Sequence, residues 1–484
     1  MKQRLSLIIL VAILLAGFAV RLYRFDNPLA DWHSWRQAET SSVSRNFAQN
    51  GFDLLHPRMV NISNVQSGLE NPQGYFFVEF PIYNAAQAGL FKLFGVLTIE
   101  QWGRLVSIFS STFAALFLYL LVSRHSNQKI GLFTAFFYAL TPFNIYFGRT
   151  ILADTSMVMA LLGGIYFFDR WVETQDKKHK TNDKQWLWFS LSLLFTTLAF
   201  LLKPFSLFFT LPMLYLAITH FRWGIFKKWQ LFLFALVSIA PLVAWRMWMM
   251  HFPEGIPANQ WLFNGNGIRF RPSFFRWIFY ERLTLLISGY FGMVFLLFGV
   301  YKVRALKEWL FFVSFLVSSL LYVFVVATGN VQHDYYQIPI MPSIAIFFAI
   351  GSYYLSLWMV KKIPVGRILL SICLVGFFFF SWQRVGDYFN INHRSIVVAG
   401  EAVNRLTPKD AKVIASYNGD TTFLYQTNRS GWASFEKDLP VMIDMGADYL
   451  VFANPVKDDY RFEKEYKVVA STKDYIIFDL KARK

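Results

Sequence analysis

The stretch DWHSWRQAET, residues 31–40, concentrates side chains that can do chemistry. It contains the carboxylates of Asp31 and Glu39, the imidazole of His33 and the guanidinium of Arg36. A carboxylate can take a proton from a hydroxyl or an amine, and an arginine can hold an anion. The stretch directly follows the first long apolar run, where tryptophan and arginine are also typical of the headgroup layer. The alternative is therefore a simple interfacial anchor.

Later connections between apolar runs carry further polar groups. Lys203 lies at the tip between two runs, beside Leu202 and Pro204. A lysine in such a place either extends to the membrane surface or pairs with an anion, and both interpretations stay open. Together the connections predict a pocket on one face of the bundle that holds a phosphate-bearing lipid. The other candidates that line it are Glu79, Arg149, Asp154, His333, Tyr335 and Tyr336.

Composition places these residues in a membrane protein. Of the 484 residues, 55% are hydrophobic and only 16% are charged. Apolar runs of the length needed to cross about 30 Å of hydrocarbon follow one another. The single cysteine, Cys373, excludes a disulfide framework and a thiolate metal cluster. The sequence predicts a mainly α, polytopic helical membrane protein with about eleven spans, at 5–22, 103–122, 130–147, 155–172, 186–202, 204–220, 229–250, 283–301, 309–327, 338–358 and 368–383.

The placement of basic residues predicts the orientation. Lysine and arginine are about four times denser in one set of connections, which includes 1–4, 173–185 and 302–308, than in the other set. That set is predicted to be cytoplasmic, so the N-terminus lies inside. The net charge of +17 is largely explained by this bias, which argues against nucleic acid as a partner. The loops 23–102 and 251–282 are predicted to lie outside.

After residue 384 charged residues become frequent and the apolar runs shorten. The pattern predicts a transmembrane domain, 1–384, and a small soluble α/β domain outside the membrane, 385–484. Within the latter we predict a helix at 395–406, buried strands at 412–417, 423–425 and 449–452, and a hairpin of 466–469 with 475–478. Within the first loop we predict short helices at 39–50 and 80–94.

A divalent metal is a further candidate ligand. Glu79, His251 and His333 offer oxygen and nitrogen atoms of the kinds that such ions use. No paired histidine spacing supports a site. The sequence also contains no glycine-rich phosphate loop, so it gives no indication of a nucleotide-activated donor.

The order of these features resembles the GT-C superfamily of lipid-phosphate-dependent glycosyltransferases. The likeness is to bacterial members related to protein O-mannosyltransferases and the lipid A aminoarabinose transferase, and it covers most of residues 1–384. Glu39 stands where many relatives carry Asp, which keeps a carboxylate on a longer stem. The segments that carry this likeness are HSWRQAET at 33–40, SRNF at 44–47, EFPIY at 79–83, TPFN at 141–144, Arg149, Asp154, Lys203-Pro204 and YYQIP at 335–339.

The resemblance implies an enzyme of the plasma (inner) membrane that moves a sugar from polyprenyl phosphate to an extracytoplasmic glycan, lipid or protein. It implies a catalytic acid in the first outer loop, with Glu39 and Asp31 as candidates. Lys203, Arg36 and Arg149 would bind the donor phosphate, and His33, Asp154, His333, Tyr335 and Tyr336 would line the substrate pocket. Glu79 matches an acid that contributes to a metal site in the aminoarabinose transferase.

Two other classes remain as alternatives. A lipid-linked oligosaccharide polymerase or ligase also has many spans and outer arginines, but its large loop usually comes late in the chain. A transporter or flippase would carry ionisable residues in the middle of its spans and show repeated halves. In this sequence the positions in the middle of the predicted spans are nearly all apolar, and we detect no repeat.

Overall fold

A computed structural model describes residues 2–175 and 184–484. Most of the connection predicted at 173–185 lies outside the described residues. The α-helices are α1 (Lys2–Val20), α2 (Ser34–Asn50), α3 (Ile82–Phe94), α4 (Ile99–His125), α5 (Gln128–Leu140), α6 (Pro142–Phe147), α7 (Ala153–Glu173), α8 (Gln185–Leu202), α9 (Leu211–Phe221), α10 (Trp229–Met249), α11 (Trp261–Asn264), α12 (Pro272–Phe275), α13 (Gly292–Lys302), α14 (Trp309–Val325), α15 (Ala327–Gln332), α16 (Met341–Ser356), α17 (Val365–Val385), α18 (Arg394–Leu406), α19 (Thr421–Gln426) and α20 (Leu439–Asp444).

The helices confirm a polytopic helical membrane protein. Six helical segments of the described residues are long and apolar enough to cross a membrane, and a seventh is added if a bent pair forms one span. Two shorter apolar helices, Arg4–Val20 and Trp309–Val325, accompany them. The count of eleven spans therefore stays a prediction. The predicted run 130–147 is interrupted, because α5 ends before Thr141 and α6 begins at Pro142.

The break between α5 and α6 is stabilised by a buried arginine. Arg21 donates to the carbonyl of Ala139 at 2.8 Å and to that of Asn144 at 3.0 Å. Carbonyls at a helix end lack partners within the helix, and the guanidinium supplies them. The polar side chains of TPFN at 141–144 add to this, because the Thr141 hydroxyl donates to the Phe137 carbonyl at 2.6 Å and the Asn144 amide donates to that of Tyr138 at 2.5 Å.

The chain divides into two compact units. Unit 1 comprises Met1–Tyr23, Leu105–Ala244 and Asn259–Asp387, and it contains most of the apolar helices. Unit 2 comprises Arg24–Arg104, Trp245–Ala258 and Tyr388–Lys484. It therefore combines the first predicted outer loop with the C-terminal segment. The domain boundary at residue 384 stays a prediction.

Unit 2 contains a five-stranded sheet in the order β2-β1-β3-β5-β4. β1 is parallel to β2 and β3, whereas β5 is antiparallel to β3 and β4. The first outer loop joins its edge, because Ile62 donates to the Gly431 carbonyl at 2.9 Å and Gly431 donates to that of Val60 at 3.0 Å. The strands are β1 (Lys412–Ala415), β2 (Ser430–Trp432), β3 (Tyr449–Ala453), β4 (Tyr466–Ser471) and β5 (Tyr475–Arg483).

The structure confirms most of the predicted elements of unit 2. The helices α2, α3 and α18, the strands β1 and β3, and the hairpin of β4 and β5 lie where the sequence predicted them. The prediction of a strand at 423–425 is wrong, because these residues belong to α19. Asp420 caps that helix by accepting the backbone N–H of Thr422. A capping side chain favours a helix start over continued strand.

Candidate functional site

In unit 2, the stretch 31–40 comprises the turn before α2 and the first two turns of that helix. His33 has a left-handed backbone with φ of 53°, so the chain turns there and the helix begins at Ser34. The Trp32 ring stacks on Tyr388 with centroids 4.9 Å apart, which fixes the approach to the helix. Residues three apart share a helix face, so Arg36 and Glu39 come together.

Arg36 holds two carboxylates. Its guanidinium lies 3.2 Å from Glu39 and 2.7 Å from Glu79, and Phe76 covers it with the ring centroid 5.1 Å away. Gln66 also donates to the Glu39 carboxylate. Glu39 and Arg36 are both buried. We call Arg36, Glu39, Gln66 and Glu79 the acid cluster.

The Glu39 carboxyl has an unusual proton affinity. Burial raises its pKa from the ordinary 4.5 to about 7, against the lowering effect of Arg36. The negative charges of Asp420 and Glu79 act in the same direction as burial. A carboxylate with a pKa near neutrality can both take and release a proton, which is the property of a general base or acid.

Asp420 is a neighbour of Glu39 that the sequence analysis did not select. It is far from Glu39 in the chain, yet Thr422 donates to the Ser34 hydroxyl at 3.1 Å and Tyr425 donates to the Ser41 hydroxyl at 2.9 Å. These contacts bring the start of α19 against α2. Burial raises the pKa of Asp420 as well. The only sequence signal was its position as a helix cap.

Asp31, the other acid of the opening stretch, has a different environment. It is buried, and its carboxylate accepts a hydrogen bond of 3.0 Å from the Gln37 amide. The imidazole of neighbouring His33 is half-buried and packs edge-on against Trp32, with centroids 5.1 Å apart. The amide contact fixes the Asp31 carboxylate at the start of α2.

In unit 1, Lys203 and Asp154 form a buried ion pair. The Lys203 ammonium lies 2.8 and 2.7 Å from the two carboxylate oxygens. It also lies 5.6 Å from the ring centroids of both Tyr335 and Tyr336. Lys203 is 6% exposed and pairs with a carboxylate of the protein, so a donor phosphate as its partner stays a prediction.

The remaining candidates of unit 1 have different surroundings. His333 stacks on Tyr335 with centroids 5.5 Å apart. The neighbouring Asp334 forms an ion pair with Arg282. Arg149 is buried and donates to the Tyr23 carbonyl at 2.9 Å. The ion pair, the two tyrosines and the histidine thus lie together in one group.

The predicted metal role of Glu79 finds no ligand set. Among the described residues, no group of three or more His, Cys, Asp or Glu side chains is arranged to hold an ion. Glu79 is instead bound by the Arg36 guanidinium. The side chains around Glu79 do not fit a metal, and we assign it no catalytic step through one.

Comparisons with known proteins bear on this arrangement. Residues 79–248 match the family described as dolichyl-phosphate-mannose-protein mannosyltransferase. No curated protein sequence matches the chain significantly.

Among solved structures, ArnT from Cupriavidus metallidurans bound to undecaprenyl phosphate is similar, with a TM-score of 0.64 and 15% identity over 98% of this chain and 97% of that one. The archaeal oligosaccharyltransferase AglB from Archaeoglobus fulgidus, in complex with an inhibitory peptide and a dolichol-phosphate, has a TM-score of 0.61 and 11% identity over 96% and 73%.

The chain is therefore a multi-pass membrane protein with the GT-C fold. Its predicted resemblance to the GT-C superfamily of lipid-phosphate-dependent glycosyltransferases is confirmed by the family match and by both structures.

Proposed function

We propose that the protein transfers a sugar from a polyprenyl-phosphate donor to a hydroxyl or amine of an acceptor outside the cytoplasm. The match to a mannosyltransferase family over residues 79–248 supports the reaction type. The lipid phosphates bound by ArnT and AglB support the class of donor. The acceptor is a glycan, a lipid or a protein.

The observation that carries the proposal is the buried Glu39 carboxylate. In the reaction the bond between the sugar C1 and the phosphate oxygen breaks, and a bond from C1 to the acceptor oxygen or nitrogen forms. The acceptor proton passes to Glu39, and polyprenyl phosphate leaves. A base with a pKa of about 7 is ionised in a large fraction of molecules at neutral pH. Arg36 and Gln66 fix the direction of its oxygens.

The phosphate that leaves gains negative charge as its bond to the sugar breaks. Cations placed beforehand stabilise such charge, because they need no reorganisation during the reaction. We assign this task to Lys203, with Arg36 and Arg149 as further candidates. The donor would lie beside the aromatic side chains that surround the lysine, namely Tyr335, Tyr336 and His333. Asp154 holds the Lys203 ammonium in place before the donor binds.

The test compares two acids with one control. The donor is a radiolabelled polyprenyl-phosphate sugar, and the measurements are the transfer rate and the donor affinity of purified, folded Glu39→Gln and Asp31→Asn. A positioned base contributes roughly 10² to 10⁴-fold. Glu39→Gln should therefore lose at least about a hundredfold in rate and keep its donor affinity. Glu70→Gln, at a largely exposed glutamate of the same loop, should keep the normal rate.

Asp31→Asn separates the two candidate acids. If it alone abolishes transfer, Asp31 is the base. Near-normal rates in both variants would show that the stretch 31–40 is an interfacial anchor without a catalytic role.

A further inference from the structure

Unit 2 contains a polar cavity whose lining does not include any residue of the acid cluster. Its volume is about 640 Å³, within the range of roughly 300–1,000 Å³ that is typical of ligand sites. It is lined by the end of α2, the end of α3 with the residues after it, the beginning of α4, α18 and the end of α19 with Asn428. We call it the amide pocket, after five of its lining residues, Gln49, Gln101, Asn404, Gln426 and Asn428.

The charges that line the amide pocket neutralise each other. Arg45 lies 3.0 Å from Glu100, donates to the Tyr425 carbonyl at 3.0 Å and covers the Tyr425 ring at 3.7 Å. Glu100 also accepts from the Tyr425 hydroxyl. Because both charges are satisfied within the protein, an anion would meet a carboxylate and a cation would meet a guanidinium. The pocket therefore favours a neutral polar ligand.

The amides suit hydroxyl groups. Three of the five amides use one of their two polar atoms within the protein. Gln426 donates to the Leu29 carbonyl at 2.8 Å. The Asn404 oxygen accepts from Arg429, and the Asn428 oxygen accepts from Arg45. An amide has both a donor and an acceptor end, so these residues suit a ligand that offers both. A sugar hydroxyl is both at once.

The rim of the amide pocket is apolar and exposed. Gly95 and Val96 line it, and they continue from the end of α3. Leu93 is 74% exposed, Phe94 54% and Val96 79%. Apolar side chains in this number at the end of an amphipathic helix are typical of a segment that enters a lipid interface. A ligand of the pocket would thus have a polar head beside a lipid chain.

We propose that the amide pocket binds the neutral saccharide head of a membrane-anchored glycoconjugate. This site is separate from the acid cluster. It goes beyond the proposed function, since binding there needs no transfer reaction.

The experiment uses the full chain, purified in a polyoxyethylene detergent, and an alkyl maltoside that carries a photoreactive diazirine in its chain. Labelled peptides are mapped by mass spectrometry. We expect saturable labelling within residues 91–101, suppressed by methyl β-maltoside and unaffected by inorganic phosphate. Absence of saturable labelling, or suppression by phosphate but not by the maltoside, overturns the proposal.

Variants test the chemistry of the lining. Loss of one hydrogen bond typically weakens binding about fivefold, so the double variant Gln49→Leu/Gln101→Leu should need at least tenfold more probe. Asn50→Leu is the matched control, because Asn50 is exposed beside Gln49 but does not line the cavity. Glu100→Gln leaves Arg45 without its carboxylate and should make labelling sensitive to phosphate. Equal labelling of the double variant and the control contradicts the assignment, whatever the outcome for Glu39.

Discussion

At the scale of single residues, the acid cluster combines two side chains of one helix with two side chains from the loop that follows it. Arg36 and Glu39 are three residues apart, and the structure joins them at 3.2 Å. Glu79 and Gln66 reach the same cluster from elsewhere in the loop, which no local pattern indicates. Lys203 and Asp154 were both selected from the sequence, but their mutual pairing depends on the packing of α7 and α8. Such long-range contacts are set by tertiary structure.

The raised pKa of Glu39 predicts a dependence of stability on pH. Since the folded-state pKa is about 7 against an ordinary 4.5, the folded protein binds the proton more tightly than the unfolded chain does. This contribution is fully present below about pH 4.5 and is lost as pH rises through 7. It amounts to about 3 kcal/mol. The unfolding temperature of Glu39→Gln should thus be higher than that of the wild type at pH 8, and the two temperatures should be similar at pH 5. A constant difference between the two proteins across that range would contradict the shift.

The same group predicts the pH profile of the reaction. A base must be ionised to accept a proton, so kcat/KM should rise with pH and level off above about 7. Steady-state transfer assays from pH 5 to 9 measure it. The residual rate of Glu39→Gln should not follow that curve. A wild-type profile that is flat between pH 6 and 8 would assign the base to another group.

Variants of the Lys203–Asp154 pair should separate the effect of Lys203 on stability from its effect on the use of the donor. Removing one member of a buried pair leaves the other charge uncompensated, which costs about 3–5 kcal/mol. Lys203→Ala should therefore unfold at lower temperature, and Lys203→Ala/Asp154→Ala should recover most of that loss. If Lys203 binds the donor phosphate, the double variant still uses donor roughly ten- to a hundredfold less well, and Lys203→Arg retains part of it. Recovery of both properties in the double variant would limit Lys203 to a structural role.

At the scale of elements, periodicity predicted long helices and strands well and short ones poorly. α18 carries enough turns for its apolar residues to repeat along one face, and β5 begins with four consecutive buried apolar or aromatic residues, Tyr475 to Phe478. The segment 423–425 is apolar and short, so its pattern fits either a strand or a helix. The Asp420 side chain caps the N-terminus of this segment and thereby favours the helix. β2 spans only Ser430–Trp432 and contains a glycine, and it depends on pairing with β1.

The close packing of α13 on α16 leads to a prediction about glycine substitutions. A Cβ added to Gly299 would lie 2.0 Å from the Phe347 carbonyl oxygen, and one added to Gly351 would lie 2.0 Å from that of Phe295. Small residues allow membrane helices to approach closely. Gly299→Ala should force the helices apart and lower the unfolding temperature in detergent. Gly89→Ala, where an added Cβ meets nothing within 4 Å, should leave it unchanged or raise it. Equal effects at both sites would contradict the packing argument.

At the scale of the whole molecule, the sequence predicted the class of protein and left the grouping of its segments open. The composition changes at residue 384, because membrane helices are apolar and soluble segments are not. Unit 2 nevertheless includes Arg24–Arg104 together with Tyr388–Lys484. The hydrogen bonds of Val60 and Ile62 with Gly431 show the reason. An exposed sheet edge accepts an extended segment through backbone groups, which carry no sequence signature.

The orientation in the membrane is the last prediction. The denser lysines and arginines of one set of connections place the N-terminus in the cytoplasm and the segment after α17 outside. A crossing by α3 would invert everything that follows. α3 has only 13 residues, which at about 1.5 Å each is too short for roughly 30 Å of hydrocarbon. Reporter fusions after residues 305 and 390 should therefore report the cytoplasm and the exterior, respectively. Reversed signals would mean that α3 crosses the membrane with its flanking residues, and equal signals would mean that one of the three predicted spans between residues 305 and 390 does not cross.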